Sequence, residues 1–297
     1  FSGASAHARA EQAAERWTLS TPRATFHVLF RYPFEALFQG SGVTQERPSA
    51  RTHRSDGRPG TLFLVATPIG NLEDVSARAL RVLREANLVA AEDTRHTRRL
   101  LEHYGIAAKI VSLHEHNERA RAASLVERVQ AGENVALVTD AGSPGIADPG
   151  YPVVRAAVAG GVRVESIPGP SAVITALQVS GLPTDAFIFA GFLPPRSAAR
   201  RRKLEELSLQ RETVVVFESP HRIEACLADL EAVWAERPIA LARELTKLHE
   251  QVLRGSAREV RAALRAEWKR GEMVLVLGGR TRAERGRERR TDREADE

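Results

Sequence analysis

Four short segments combine glycine and proline with side chains that can bind a ligand or accept a proton. They read TPIGN (residues 67–71), EDTRHT (92–97), DAGSPGIADPG (140–150) and PGPSA (168–172). Proline stiffens a loop and glycine lets a ligand approach the backbone, so such loops suit a rigid small-molecule site. None of them matches a dinucleotide fingerprint or a P-loop, whose lysine is missing, and both kinds of nucleotide site are therefore disfavoured.

Each of these segments follows a predicted strand. From residue 61, short β-branched runs alternate with helical periods, which predicts βα units around a mostly parallel sheet. The predicted strands of this first half are residues 62–66, 88–91, 109–113, 135–139 and 162–167. Ligands bind at the carboxyl ends of strands in such sheets, so the four segments should meet at one edge.

Local signals predict where several helices begin and end. Asp74 and Ser171 are predicted N-caps, and Gly105, Gly132 and Gly160 stand where helices should end. A second α/β series follows residue 183. Its predicted strands are residues 187–191, 213–217, 239–243, 251–254 and 273–277, and its predicted helices include 223–234 and 257–268.

The sequence therefore predicts an α/β fold with two domains. We expect an N-terminal α/β domain at residues 61–182 and a C-terminal α/β domain at residues 183–279. Residues 1–60 are expected to be a disordered or vector-derived extension, since residues 35–40 (EALFQG) resemble a viral protease site. Residues 280–297 are charged and almost without apolar side chains, which predicts a disordered tail.

Composition excludes several classes of protein. The 297 residues contain one cysteine, Cys226, which excludes an internal disulfide framework and a zinc site built on cysteines. No apolar stretch approaches the roughly 20 residues that cross a bilayer, so we expect a cytoplasmic protein without a membrane partner. His114 and His116 lack a clear third ligand, and no metal is expected. The net charge of +5 permits an RNA partner without demanding one.

Seven motifs in a fixed order resemble the tetrapyrrole methylase superfamily, in particular its branch that methylates small-subunit ribosomal RNA. Beyond the four segments above, they are GFLP (191–194), ESPHR (218–222) and GEMVL (271–275), and the resemblance covers about residues 61–279. It implies S-adenosylmethionine in a cleft between two α/β domains and a homodimer. It also implies 2′-O-methylation of a cytidine in the decoding centre of 16S ribosomal RNA.

The resemblance also implies which residues contact the cofactor, many of them through the backbone. The positions are Pro68, Ile69, Ser143, Pro144, Gly145, Ile146, Ala147, Ser171, Ala172, Phe217, Ala242 and Met273. Ala147 departs from the family, which often has a polar residue there, so it is assigned no hydrogen bond. The family usually continues into a small helical region where this chain has its charged tail.

A ribose hydroxyl is weakly acidic, so a positioned base would help methyl transfer. Glu92, Asp93 and Lys247 are the candidate bases at the predicted cleft, and Arg95 could hold a neighbouring phosphate. For each carboxylate, capping the next helix or pairing with Arg95 or Arg98 is an equally good interpretation.

A second group of cations lies at a predicted helix start and consists of Arg196, Arg200, Arg201, Arg202 and Lys203. Cations there oppose the helix dipole, which is costly unless an anion such as RNA phosphate is present. The alternative is a solvated face balanced by Glu205 and Glu206.

Two other functions remain open at this stage. The same fold could methylate a tetrapyrrole or another small molecule, since fold does not fix substrate. The chain could also be a ribosome-assembly factor that binds RNA without catalysis. Failure to bind S-adenosylmethionine while RNA affinity persists would favour that last function.

Overall fold

The computed structural model describes residues 59–234, 236–265 and 270–280, together with the backbone of two strands closer to the N-terminus. Those two strands, β1 (Arg16–Thr21) and β2 (Ala24–Leu29), pair antiparallel. They differ from our prediction, which placed no element there although Trp17 and Leu19 alternate with polar residues as strands do. Residues 1–15, 22–23 and 30–58 of the predicted extension, and the predicted tail from residue 281, lie outside the described residues.

The first α/β sheet is entirely parallel, as predicted. Its strands run in the order β5-β4-β6-β3-β7, and every pairing between neighbours is parallel. Their bounds are β3 Thr61–Val65, β4 Leu88–Ala91, β5 Ile110–Ser112, β6 Val135–Val138 and β7 Arg163–Ile167. β4 and β6 are buried along their whole length, which explains their continuous apolar runs.

Helices cover both faces of this sheet. They are α1 Ala77–Glu85, α2 Thr94–His103, α3 Glu118–Gln130 and α4 Tyr151–Ala159. Leu83 of α1 and Leu101 of α2 pack on one face, and Leu125 of α3 and Val153 of α4 pack on the other. The sheet is therefore held rigidly between two apolar layers.

The turns at the helix ends agree with most of the predicted signals. Gly105 and Gly132 have positive φ just after α2 and α3, as predicted for helix ends. The prediction that Asp74 caps α1 is wrong, because Ser76 caps this helix by accepting a hydrogen bond from the Ala79 N–H at 3.1 Å. Asp74 instead lies in a preceding 3-10 turn, Leu72–Asp74.

The second sheet is mixed, which corrects the expectation of a mostly parallel sheet. Its order is β11-β10-β12-β9-β8, and only β8 and β9 pair in parallel. The bounds are β8 Phe187–Phe192, β9 Thr213–Glu218, β10 Ile239–Arg243, β11 Gln251–Gly255 and β12 Met273–Leu277. The segment between β10 and β11 contains no helix, and a connection that short cannot return a strand in parallel.

In the described part of this half of the chain there are four further helices, namely α5 Ala172–Ser180, α6 Ser197–Ser208, α7 Ile223–Val233 and α8 Ala257–Ala263. The last ends earlier than the predicted 257–268, and residues 266–269 lie outside the described part. Helix α5 packs through Val173 and Leu177 on Ala240 and Val274 of the second sheet. Helix α5 thus packs with the C-terminal sheet, although it precedes the domain boundary that we predicted at residue 182.

None of the helices within the described residues is long and apolar enough to cross a bilayer.

Candidate functional site

A cavity of about 330 Å³ lies between the carboxyl edge of the first sheet and the second sheet, and we name it the inner cavity. The first half contributes Ile69 after β3, the loop after β6 and the start of α5. The second half contributes residues 217–220 at the end of β9 and 271–274 at the start of β12. The walls are mostly apolar, and the volume lies at the lower end of the range, about 300–1,000 Å³, for small-molecule sites.

The loop after β6 is held in an unusual backbone conformation. Thr67 and Gly142 exchange two backbone hydrogen bonds of 2.9 and 3.0 Å, which join this loop to the one after β3. The Gly150 N–H donates to Glu118 at 2.7 Å and ties the other end of the loop to α3. Ala147 has φ of 62°, a strained conformation for a residue with a Cβ, and it lines the inner cavity. Such strain concentrates at ligand sites.

The N-terminus of α5 also faces the inner cavity. Ser171, Ala172 and Val173 line it. Ser171 occupies the N-cap position as predicted, but its hydroxyl makes no capping hydrogen bond. The first N–H groups of the helix are therefore available to an anionic group in the cavity.

Aromatic side chains form the wall on the second sheet. Phe217 meets Phe189 and Phe192 edge to face, with ring centroids 4.9 and 5.6 Å apart. Phe192 and Met273 also line the cavity, and Phe192 is 57% exposed. A wall of this kind suits a planar heterocycle.

Most residues that the resemblance assigned to the cofactor come together here. Those that line the inner cavity are Ile69, Ser143, Ile146, Ala147, Ser171, Ala172, Phe217 and Met273. Pro68 lines a neighbouring cavity instead, while Pro144 and Gly145 shape the loop without forming the wall. Ala242 is 1% exposed and lies in the core between α5 and the second sheet, where its side chain cannot reach a ligand.

The neighbouring cavity, which we name the outer cavity, is larger, at about 550 Å³. Its wall contains Thr67, Pro68, Gly70, Leu72, His96, Arg99, Leu100, Asp140 and Lys247. The two cavities share Ile69, Ala141 and Glu272, which form a common wall. A group held in one cavity therefore lies next to a group held in the other.

Carboxylates gather where the two cavities meet. The Thr139 hydroxyl donates to Glu92 at 2.6 Å, and the Asp93 N–H donates to Asp140 at 3.1 Å. Burial raises the pKa of Asp148 to about 6, and the negative charges of Glu92 and Asp140 add to the effect. Burial likewise raises the pKa of Asp140. Asp140 and Asp148 were not among our catalytic candidates, although both belong to the DAGSPGIADPG motif.

The predicted bases Asp93 and Lys247 have other tasks. Asp93 caps α2 and pairs with Arg95 at 3.0 Å, and the hydrogen bond from Arg95 lowers its pKa to about 2. The capping interpretation thus holds, and Arg95, expected to bind phosphate, is already engaged with Asp93. Burial opposes the charge of Lys247, but Glu244 at 2.9 Å and Glu272 at 3.2 Å outweigh it and raise its pKa. Lys247 stays protonated and cannot serve as a base at neutral pH.

The predicted RNA-binding cluster requires a correction. Arg200 is 3% exposed and forms an ion pair with Asp229 of α7 at 2.6 Å, so it cannot contact RNA. Arg201 also reaches Asp229, at 2.6 Å, and Lys203 pairs with Glu206. The Asp229 carboxylate therefore supplies the anion for Arg200 and Arg201 at this helix start. Arg196 and Arg202 are exposed, and the side chains of Arg201 and Lys203 are 52% and 44% exposed, so RNA contact by these four stays a prediction.

Comparison with known proteins agrees with this architecture. The sequence profile of the tetrapyrrole (corrin/porphyrin) methylases matches residues 61–261, more than half of the chain. The chain belongs to the tetrapyrrole methylase family. The profile spans β3 to α8 and thus both walls of the inner cavity apart from β12.

Relatives with high sequence identity to this tetrapyrrole methylase include two proteins of the same name. Ribosomal RNA small subunit methyltransferase I from Xylella fastidiosa is 49% identical over 224 residues, which is 74% of this chain and 82% of that protein. The protein of the same name from Escherichia coli O157:H7 is 47% identical over 233 residues, which is 77% of this chain and 82% of that protein.

Solved structures share the fold of this tetrapyrrole methylase at lower identity. Diphthine synthase has a TM-score of 0.56 at 18% identity and covers 74% of this chain and 90% of its own. Uroporphyrin-III C-methyltransferase from Thermus thermophilus, solved in complex with S-adenosyl homocysteine, has a TM-score of 0.52 at 20% identity. It covers 74% of this chain and 97% of its own.

Proposed function

We propose that this tetrapyrrole methylase transfers a methyl group from S-adenosylmethionine to the ribose 2′-hydroxyl of a cytidine in 16S ribosomal RNA. One observation carries the proposal: a cofactor-sized apolar cavity shares a wall with a larger cavity that is lined by a higher proportion of polar and charged residues. The name of the relatives at 47–49% identity supports ribosomal RNA of the small subunit as substrate. The ribose position and the decoding-centre cytidine follow from the motif resemblance.

The inner cavity fits the cofactor. Phe217, Met273 and Ile69 offer an apolar wall for its adenine, and the N–H groups at the start of α5 offer donors for its carboxylate. When bound, S-adenosylmethionine supplies a methyl group on a positively charged sulfur, which is displaced in line by the attacking oxygen. The strained Ala147 loop and α5 hold fixed positions, so they align the reactants without reorganising.

The proton of the attacking hydroxyl needs an acceptor, and we assign that role to Asp140. Its carboxylate lines the outer cavity next to Ala141, which belongs to the common wall. Its raised pKa makes it a stronger base than Asp93. The oxygen thus gains the methyl group, and the proton moves to the Asp140 carboxylate.

The buried cysteine argues against methylation at a base carbon through a cysteine nucleophile. Cys226 is 0% exposed, and burial raises the pKa of its thiol to about 12. A thiol of this kind is inert. The proposal also includes a homodimer and a cytoplasmic location, supported by the family resemblance and by the presence of ribosomal subunits in that compartment.

The test uses small ribosomal subunits from a strain that lacks the activity. These subunits are incubated with the protein and methyl-labelled S-adenosylmethionine, and the RNA is digested to nucleosides. We expect label in 2′-O-methylcytidine. Label only in a methylated base would refute the ribose assignment. Label in no nucleoside, with cofactor binding intact, would favour the small-molecule alternative.

A further inference from the structure

We propose that the outer cavity holds a single unstacked nucleotide of the RNA, with an adjacent phosphate on Arg99 and His96. The inference rests on the proposed function and names the part of the RNA that enters the protein. It follows from the size of the cavity, from two side chains with N–H donors that line it and from the strained segment that presents Lys247.

The size and position of the outer cavity favour one nucleotide. Its volume of about 550 Å³ lies within the range of sites for single small molecules and is far too small for a stacked helix. RNA-binding proteins read unstacked nucleotides that leave the helix. A nucleotide in this cavity would bring its ribose to Ile69, Ala141 and Glu272, beside the inner cavity.

Two arginines of α2, Arg95 and Arg99, have different surroundings. Arg95 is held by Asp93 at 3.0 Å. One turn later, Arg99 lines the outer cavity, and no carboxylate within the described residues forms an ion pair with it. His96 stands three residues before Arg99, on the same helix face, and also lines the cavity. Two neighbouring donors that are exposed to solvent at a cavity wall suit a phosphate.

The segment that contains Lys247 places the ammonium group of this lysine at the outer cavity. Glu244 and Thr246 have positive φ of 49° and 66°, on either side of Leu245, just before Lys247. Gly70 lies so close that a Cβ there would be 2.5 Å from the Lys247 Cγ. Glu244 and Glu272 then fix the ammonium group by hydrogen bonds of 2.9 and 3.2 Å. The strain is consistent with a donor held ready for an oxygen of the bound nucleotide.

The first experiment compares Arg99→Ala with Arg98→Ala, which removes the same charge from the same helix outside both cavities. Small subunits and labelled S-adenosylmethionine are the probes. We expect Arg99→Ala to raise KM for the subunits about tenfold and to flatten the dependence of log affinity on log salt by about one. Cofactor affinity should be unchanged by calorimetry, and Arg98→Ala should behave as wild type. Equal effects of the two variants would overturn the inference.

The second experiment fills each cavity separately. Leu72, 39% exposed, lines the outer cavity, and Ile146, 50% exposed, lines the inner one. We expect Leu72→Trp to bind S-adenosylmethionine normally and to lose methylation, and Ile146→Trp to lose cofactor binding. A fully active Leu72→Trp variant would overturn the inference and leave the proposed function intact. A wild-type protein that does not methylate subunits would overturn both.

Discussion

The guanidinium of Arg200 and the carboxylate of Asp229 form a buried ion pair, with 2.6 Å between nitrogen and oxygen. We predict that Arg200→Ala lowers the free energy of unfolding by about 3 kcal/mol, because removing one partner leaves a buried charge poorly compensated. The exposed Arg202→Ala is the matched control and should change stability little. Denaturant unfolding measures both, and an equal loss in the two variants would contradict the ion-pair explanation.

Tryptophan substitutions test the position of the cofactor. Ser143, in the loop after β6, and Ala172, at the start of α5, both line the inner cavity. We predict that Ser143→Trp and Ala172→Trp each abolish binding of S-adenosylmethionine, because the indole occupies the space of the ligand, while thermal unfolding stays cooperative. Val158→Trp, at a position 66% exposed in α4 and outside both cavities, is the control. Normal binding by both variants in calorimetry would place the cofactor elsewhere.

The raised pKa of Asp148 predicts a dependence of stability on pH. Because its pKa in the folded protein is about 6, against 3.8 ordinarily, the folded state loses stability as pH rises from about 4 through 6. Asp148→Asn removes this cost. We expect the variant to gain stability at pH 8, by at most about 3 kcal/mol before solvent screening reduces it, and to gain none at pH 3.5. A gain of the same size at both pH values would exclude the carboxylate as its cause.

Substitutions of Lys247 distinguish a fixed cation from a base. Lys247→Arg keeps a positive charge beside Glu244 and Glu272, so we expect it to retain most activity. Lys247→Met leaves these two carboxylates without their partner, and we expect turnover on small subunits to fall at least about tenfold. Cofactor affinity, measured in parallel, should change little. Complete inactivity of the arginine variant would instead support proton transfer by the lysine.

The strands and most of their ends could be predicted from the sequence because they depend on local patterns. β4, β10 and β12 have the predicted bounds. The direction of pairing in the second sheet could not be predicted in this way, because it depends on which strands meet across the sheet. Similarly, the sequence could not show that α5 packs with the second sheet, because this packing depends on contacts with Ala240 and Val274, which are far along the chain.

The candidate site, like the fold, could be predicted from the sequence only in part. The motif resemblance predicted most of the inner-cavity wall, since the motifs lie at or next to the ends of strands whose positions the fold fixes. Which charges neutralise one another could not be read from the sequence. The sequence indicates an exposed cation at Arg200, but Asp229 from a different helix pairs with it. The sequence likewise indicates a base at Lys247, but Glu244 and Glu272 pair with its ammonium group.

Among the described residues, three form the common wall of the two cavities: Ile69, Ala141 and Glu272. Mutations elsewhere in the outer cavity can therefore change which acceptor binds there without changing the inner cavity, which holds the methyl donor. Selection could then act on acceptor choice and donor binding as nearly separate traits. One ancestral scaffold of this design could diversify towards acceptors as different as a macrocycle and an RNA, while its donor-binding half changed little.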